Sequence, residues 1–216
     1  MHLLRVDASI QRESSVSHAV ADSFQRAWTA LHPDDEVTVR GLDPDPLPYL
    51  TLEHVLAAAT EADRRTAEQR AAVAVGAELV DEVLAADVVL MAVPLYNWGV
   101  PALFKSWLDH VLNEPRVAAA QALFAGRTGV VVSARGGSYR PGAPREGWDH
   151  VEPYLRHVVG ERLGLDLRII TPEFTLADVK PELAMFRDEA ARSLADAHKA
   201  AEHLAAALTP APSLTP

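Results

Sequence analysis

Short, nearly unbroken apolar runs recur along this chain, and longer segments of helical period lie between them. DVVLMAVP (Asp87–Pro94) and TGVVVSA (Thr128–Ala134) show almost no polar alternation. A strand of that kind suits a place where both of its faces are covered, as in a parallel sheet. LLRV (Leu3–Val6), EVTVR (Glu36–Arg40) and DLRIIT (Asp166–Thr171) complete five candidate strands. Val20, Phe24, Ala27 and Leu31 place one apolar stripe on a helix. Arg65–Leu84 repeats the helical period, as does a helix opening at Pro101 that buries Leu103, Phe104, Trp107, Leu108, Val111 and Leu112. Val151–Leu163 is helical in period, and an amphipathic helix runs from Leu183 to Leu208. Alternating strands and helices predict an α/β fold, because each right-handed crossover must cover a sheet face. Five strands favour a doubly wound parallel sheet of order 2-1-3-4-5 with helices on both faces.

The chain of 216 residues is one domain's worth, read as a single domain over 1–208. The tail TPAPSLTP (209–216) is expected to be disordered. Prolines 44, 46 and 48 in GLDPDPLPYL forbid a helix interior or a central strand there, so 44–60 reads as a long loop. With no cysteine, the chain has no disulfide, thiolate metal site or cysteine nucleophile. A net charge of −10 without a basic run leaves no electrostatic footprint for nucleic acid. No apolar run reaches membrane-spanning length, and no signal peptide is seen, so a cytoplasmic domain is expected.

Ligands of open parallel sheets sit beyond the C-terminal strand ends, which singles out the loops after strands one, three and four. The first, DASIQRESSVS, lacks G-x-G-x-x-G and G-x-x-x-x-G-K-[ST]. Its hydroxyls cluster where a helix begins, with free N–H groups and the positive dipole end. That combination suits a phosphate monoester, although ordinary helix capping accounts for the serines at least as well. Glu13 would repel an anion, and Arg12 is positioned in sequence to offset it. The second loop, PLYNWGVP, places two large rings at a strand end, either as the wall of a site for a planar heterocycle or as packing. In the third, SARGGSY, adjacent glycines let backbone N–H groups approach a ligand, or simply make a turn. Flavin mononucleotide is a single ligand that uses all three loops.

PLYNWGVPALFKSWLDHV (Pro94–Val111) resembles the FMN-dependent NADH:quinone oxidoreductases and azoreductases of the flavodoxin-like superfamily. Ser9 with Ser15-Val16-Ser17, Ala134-Arg135-Gly136-Gly137 and Pro153-Tyr154-Leu155 also fit, so the resemblance spans residues 1–205. It implies that Ser9, Ser15, Val16 and Ser17 hold the FMN phosphate. Leu95, Tyr96, Asn97 and Trp98 would contact the isoalloxazine, and Ala134, Arg135, Gly136 and Gly137 would line another edge. The family often has methionine at the place of Leu95, phenylalanine at that of Trp98, and aromatic residues within 158–164, where this chain reads VVGERLG.

The resemblance further implies two-electron transfer from NADH to a quinone or azo compound by a ping-pong route, with the chemistry carried by FMN. No protein nucleophile is required, and the Asn97 amide would stabilise negative charge on the reduced ring. No basic cluster marks a 2′-phosphate site, which favours NADH over NADPH. A homodimer is implied, with Trp98, Trp107 and the 44–60 segment as interface material and Tyr139 to Trp148 as a cover over the flavin. The alternatives are a non-enzymatic flavodoxin-type electron carrier, a hydrolase and a metal site. Against the last two, no G-x-S-x-G elbow and no H-E-x-x-H pair is present.

Overall fold

A computed structural model of the protein describes residues 1–43 and 46–208. Five parallel strands, β1 (His2–Asp7), β2 (Glu36–Gly41), β3 (Val88–Ala92), β4 (Thr128–Val132) and β5 (Asp166–Ile170), form one sheet of order β2-β1-β3-β4-β5. Period-two alternation divides the central strands between two cores. Leu3, Val88, Leu90, Ala92, Val130 and Val132 face one side, where they meet Phe24 and Trp28 of α1 (Val16–Leu31) and Ala197, Ala201 and Ala205 of α7 (Arg187–Ala207). Leu4, Val89, Met91 and Val131 face the other side. There they meet Leu79, Val80 and Val83 of α3 (Ala67–Ala85) and Phe104, Trp107, Leu108 and Val111 of α4 (Ala102–Asn113). Val151 and Leu155 of α6 (Val151–Leu155) close that second core. The apolar runs of β3 and β4 are thus explained by burial on both faces.

Several elements depart from the sequence expectation. Within the 44–60 segment, residues 52–59 form a helix, α2 (Leu52–Ala59), rather than loop. Alternate prolines stop at Pro48, and Thr51 then caps the helix: its hydroxyl accepts from the backbone at His54, whose ring reaches back to the Thr51 N–H. A short helix, α5 (Pro115–Ala119), follows α4, with Glu114 capping the N–H groups of Arg116 and Val117. Beyond α6 the chain widens into a π-helical stretch, Arg156–Arg162, in which the Leu163 N–H reaches back five residues to Val158. The C-terminal helix begins later than its apolar period suggests, because Pro181–Phe186 is a 3-10 turn. Trp107 is 1% exposed in the core, so it is not interface material. The expectation of a disordered tail at 209–216 lies outside the described residues, as do Pro44 and Asp45.

Candidate active site

The three loops leave the sheet at one rim. Asp7 is in register with Ala92, and Ala92 with Val132. The ladder continues outward: Ala8 N–H donates to Ala92 O at 3.0 Å, Val93 N–H to Val132 O at 2.9 Å, and Leu95 N–H to Ala134 O at 2.9 Å. Ser9, Leu95 and Ala134 therefore start from neighbouring points. Ser9 and Tyr96 join two of the loops directly, Ser9 Oγ lying 2.9 Å from Tyr96 Oη.

At the start of α1, Ser15 is the cap and accepts from the His18 N–H at 3.2 Å. Ser15 Oγ is also 3.1 Å from Ser17 Oγ, and Ser9, Ser15 and Ser17 are all buried. Among the described residues nothing accepts from the N–H of Val16 or Ser17. Two unused N–H groups, two buried hydroxyls and the positive end of a 16-residue helix make a neutral pocket suited to an anion. Ser14 stands apart, because its hydroxyl is exposed and donates to Gln11 O. Arg12 does not offset Glu13. Its guanidinium is exposed and pairs with Asp43 at 2.8 Å.

The ring-bearing loop is a two-residue hairpin. Tyr96 N–H donates to Gly99 O and Gly99 N–H to Tyr96 O, each at 3.0 Å. Both central residues are left-handed, Asn97 at φ 47° and Trp98 at φ 65°. This is the positive-φ pair that such hairpins require. Asparagine tolerates it, but for tryptophan it is an outlier of the kind that functional sites carry. Trp98 is held from outside the hairpin: His150 N–H donates to Trp98 O at 3.1 Å, and the Trp148 ring meets it edge-on at 5.3 Å. The Arg145 guanidinium lies 5.9 Å over the same indole.

In the third loop, a Cβ on Gly137 would meet nothing within 4 Å, so this backbone faces open space. Gly136 backs onto Leu176. Ala134 is buried, and the Arg135 side chain turns inward, away from the rim. Of these four residues, the glycine backbone is what is free to meet a ligand. A cavity of about 1050 Å³ opens from this turn, under Tyr139 and Arg140 and past β5 to α7. A second, of about 670 Å³, lies beside the hairpin between Ile10, Asn97, Lys105, His150 and Tyr154.

A family profile for the flavodoxin-like fold matches residues 1–194. The FMN-dependent NADH:quinone oxidoreductase of Frankia casuarinae is 44% identical over 203 residues, covering 93% of this chain and 96% of the relative. The chain belongs to the FMN-dependent NADH:quinone oxidoreductase family. Its fold is also that of a crystallised azoreductase from Bacillus anthracis, with a TM-score of 0.82 at 22% identity, covering 95% of this chain and 98% of the other. An FMN-dependent NADH-azoreductase of the same species, solved with FMN, superposes with a TM-score of 0.76 at 20% identity, covering 95% of this chain and all of the other.

For a member of this family, the residues at the rim fit a flavin nucleotide. The unused N–H groups of Val16 and Ser17 meet the need of a phosphate, and the open backbone at Gly137 together with Tyr96 and Trp98 meets that of a flat ring. Sequence reasoning gave Asp149 and His150 no place beside the three loops, and Tyr154 entered only through the Pro153-Tyr154-Leu155 resemblance. His150 and Tyr154 are four residues apart, so they share the helix face that borders the smaller cavity. Burial raises the Tyr154 phenol above its ordinary value, against a smaller lowering effect of Lys105. An Asp just ahead of an apolar helical period is a start signal, and Asp149 Oδ1 does accept from the Val151 and Glu152 N–H groups. Among the described residues no group of three or more metal-ligating side chains is assembled, and no helix is long and apolar enough to cross a membrane.

Proposed function

We propose that this protein binds FMN at the rim of β1, β3 and β4 and moves two electrons from NADH to a quinone or an aromatic azo compound. The observation that carries the reading is the convergence of an N–H-rich helix start, a ring-walled hairpin and an open diglycine turn at one sheet edge, in a chain 44% identical to an NADH:quinone oxidoreductase. Bound FMN supplies the chemistry of accepting a hydride and passing the electrons on. The protein binds and orients. Ser9, Ser15, Val16 and Ser17 would hold the phosphate, and Leu95 to Trp98 would flank the ring. Asn97, exposed on its left-handed turn, would offer an amide to the polar edge of the ring, where negative charge develops on reduction. Tyr139 to Trp148 would cover the cleft and exclude water. One cleft serving donor and acceptor in turn makes the kinetics ping-pong.

The exposed apolar side chains of Tyr49, Leu52, Val55 and Leu56 support a homodimer formed through the 46–59 segment. Cytoplasmic residence, where NADH is supplied, completes the reading. The electron-carrier alternative is not favoured, since the similar proteins are named as oxidoreductases. The deciding experiment is stopped-flow reduction of the FMN-loaded protein with NADH, followed by a quinone. NADH should bleach the flavin absorbance and the quinone should restore it. Failure to bind FMN, or bleaching by a protein reductant but not by NADH, would refute the proposal.

A further inference from the structure

A buried arginine behind the cleft links the loops after β3 and β4 to the 139–150 segment. The Arg135 guanidinium is 1% exposed. Its Nε donates to Asp149 Oδ2 at 2.8 Å, and Nη2 makes an ion-pair contact with the same oxygen at 2.7 Å. Nη1 donates to Ser133 O at 2.8 Å and to Ser133 Oγ, whose own hydroxyl donates to Val93 O. Asp149 Oδ1 accepts from Val151 N–H at 2.8 Å and Glu152 N–H at 3.2 Å, which fixes the start of α6. The next residue, His150, donates its N–H to Trp98 O, and the residue before Asp149 is Trp148, whose ring meets Trp98. The loops after β3 and β4 and the 139–150 segment are therefore tied together through one guanidinium and one carboxylate.

We propose that Arg135 and Asp149 are positioning residues: their ion pair holds the Trp148–His150 stretch against Trp98 and so sets the distance between the ring wall and the diglycine turn. The proposal rests on the flavin reading for its functional consequence but not for its structural one. A general core role predicts only stability. The guanidinium is fully buried while Asp149 keeps partial contact with solvent, and burying a charge in this way is poor value for stability alone, because well-packed apolar residues often replace such pairs without loss, whereas removal of one partner strands a charge. The geometry here instead converges on a backbone carbonyl of a left-handed residue that needs outside support.

The test compares Asp149→Asn, Arg135→Met and the double variant Arg135→Met/Asp149→Asn with the wild type. Three readouts are needed: thermal melting, FMN affinity of the apoprotein by flavin fluorescence, and the ultraviolet circular dichroism of the Trp98–Trp148 pair, with Trp148→Phe marking its contribution. The single variants strand a charge and melt earlier. The double variant has no stranded charge and regains melting temperature, yet it still lacks the tie. It should lose the tryptophan-pair signal and bind FMN on the order of tenfold or more weakly, as expected when a binding wall is misplaced. A double variant that regains signal, affinity and melting temperature together would overturn the proposal, since the pair would then serve stability only. If the wild type itself refuses FMN, the cofactor reading fails, but the dichroism still decides whether the pair positions Trp98.

Discussion

Replacing Ser15 by aspartate separates what this residue does for the helix from what it does for the ligand. As a cap, aspartate matches serine, and its charge suits the positive helix end. The cap is therefore kept, and the desolvation cost of a carboxylate at this buried position is offset in part by the unused N–H groups, so the folding stability of the apoprotein should fall less than the FMN affinity does. The ligand meets a different situation. Ser15 Oγ is 3.1 Å from Ser17 Oγ, so an anion touched by both hydroxyls would sit about 5 Å from a carboxylate at position 15, and at an effective dielectric of about 20 that costs about 3 kcal/mol per unit charge. A phosphate monoester carries more than one charge near neutral pH, so FMN affinity should fall at least about a thousandfold. Ser15→Ala is the milder companion. It loses the cap that receives the His18 N–H, about 1 kcal/mol or a melting shift of about 2–4 °C. It also loses one hydrogen bond to a charged group, worth roughly tenfold to a hundredfold in affinity. Fluorescence titration with FMN and with riboflavin reads the difference, because riboflavin lacks the phosphate and should bind both variants as it binds the wild type. Tight FMN binding by folded Ser15→Asp would refute the placement of the phosphate.

Two further expectations follow from the geometry. Gly137→Ala adds a methyl group where nothing lies within 4 Å, so melting should stay within about 0.5 kcal/mol of wild type while flavin affinity falls, and unchanged affinity by titration would place the ring elsewhere. His54 is buried with its Nδ1 accepting from the Thr51 N–H and its ring 4.9 Å from that of His110, and burial first, then His110, lowers its pKa below 6.5. Because the unfolded chain binds the proton more readily, the His54 contribution to stability is complete above about pH 6.5 and is lost as pH falls toward the folded value. Urea melts between pH 5 and 8 should show wild type losing stability at low pH relative to His54→Asn, which keeps an acceptor but cannot titrate; parallel curves would contradict the reasoning.

Much of this architecture is legible in the residues because burial on both sheet faces leaves an unbroken apolar run, as at Val88–Ala92 and Thr128–Val132. Sheet order follows from alternation and chirality, and the rim position of the loops follows from sheet order. What escaped were features set by local capping or by distant partners. The helix at Leu52–Ala59 is hidden behind three prolines, and its start depends on a histidine acting in a capping role usually taken by Glu or Gln. The π-helical stretch at Arg156–Arg162 has no period that distinguishes it from an ordinary helix. Arg135 sits in a ligand-like loop by sequence, yet its partner Asp149 is fourteen residues away and only the folded chain brings them together. Val16 and Ser17 needed no such context, because any helix start leaves N–H groups unused.

The left-handed indole at position 98 carries a lesson for protein engineering. An Asn-Gly hairpin would relax the backbone at that point, so a laboratory lineage bred only for heat tolerance has an incentive to discard the aromatic ring. A lineage bred for turnover would be held to the bulky residue, and the two populations should diverge at this codon before most others.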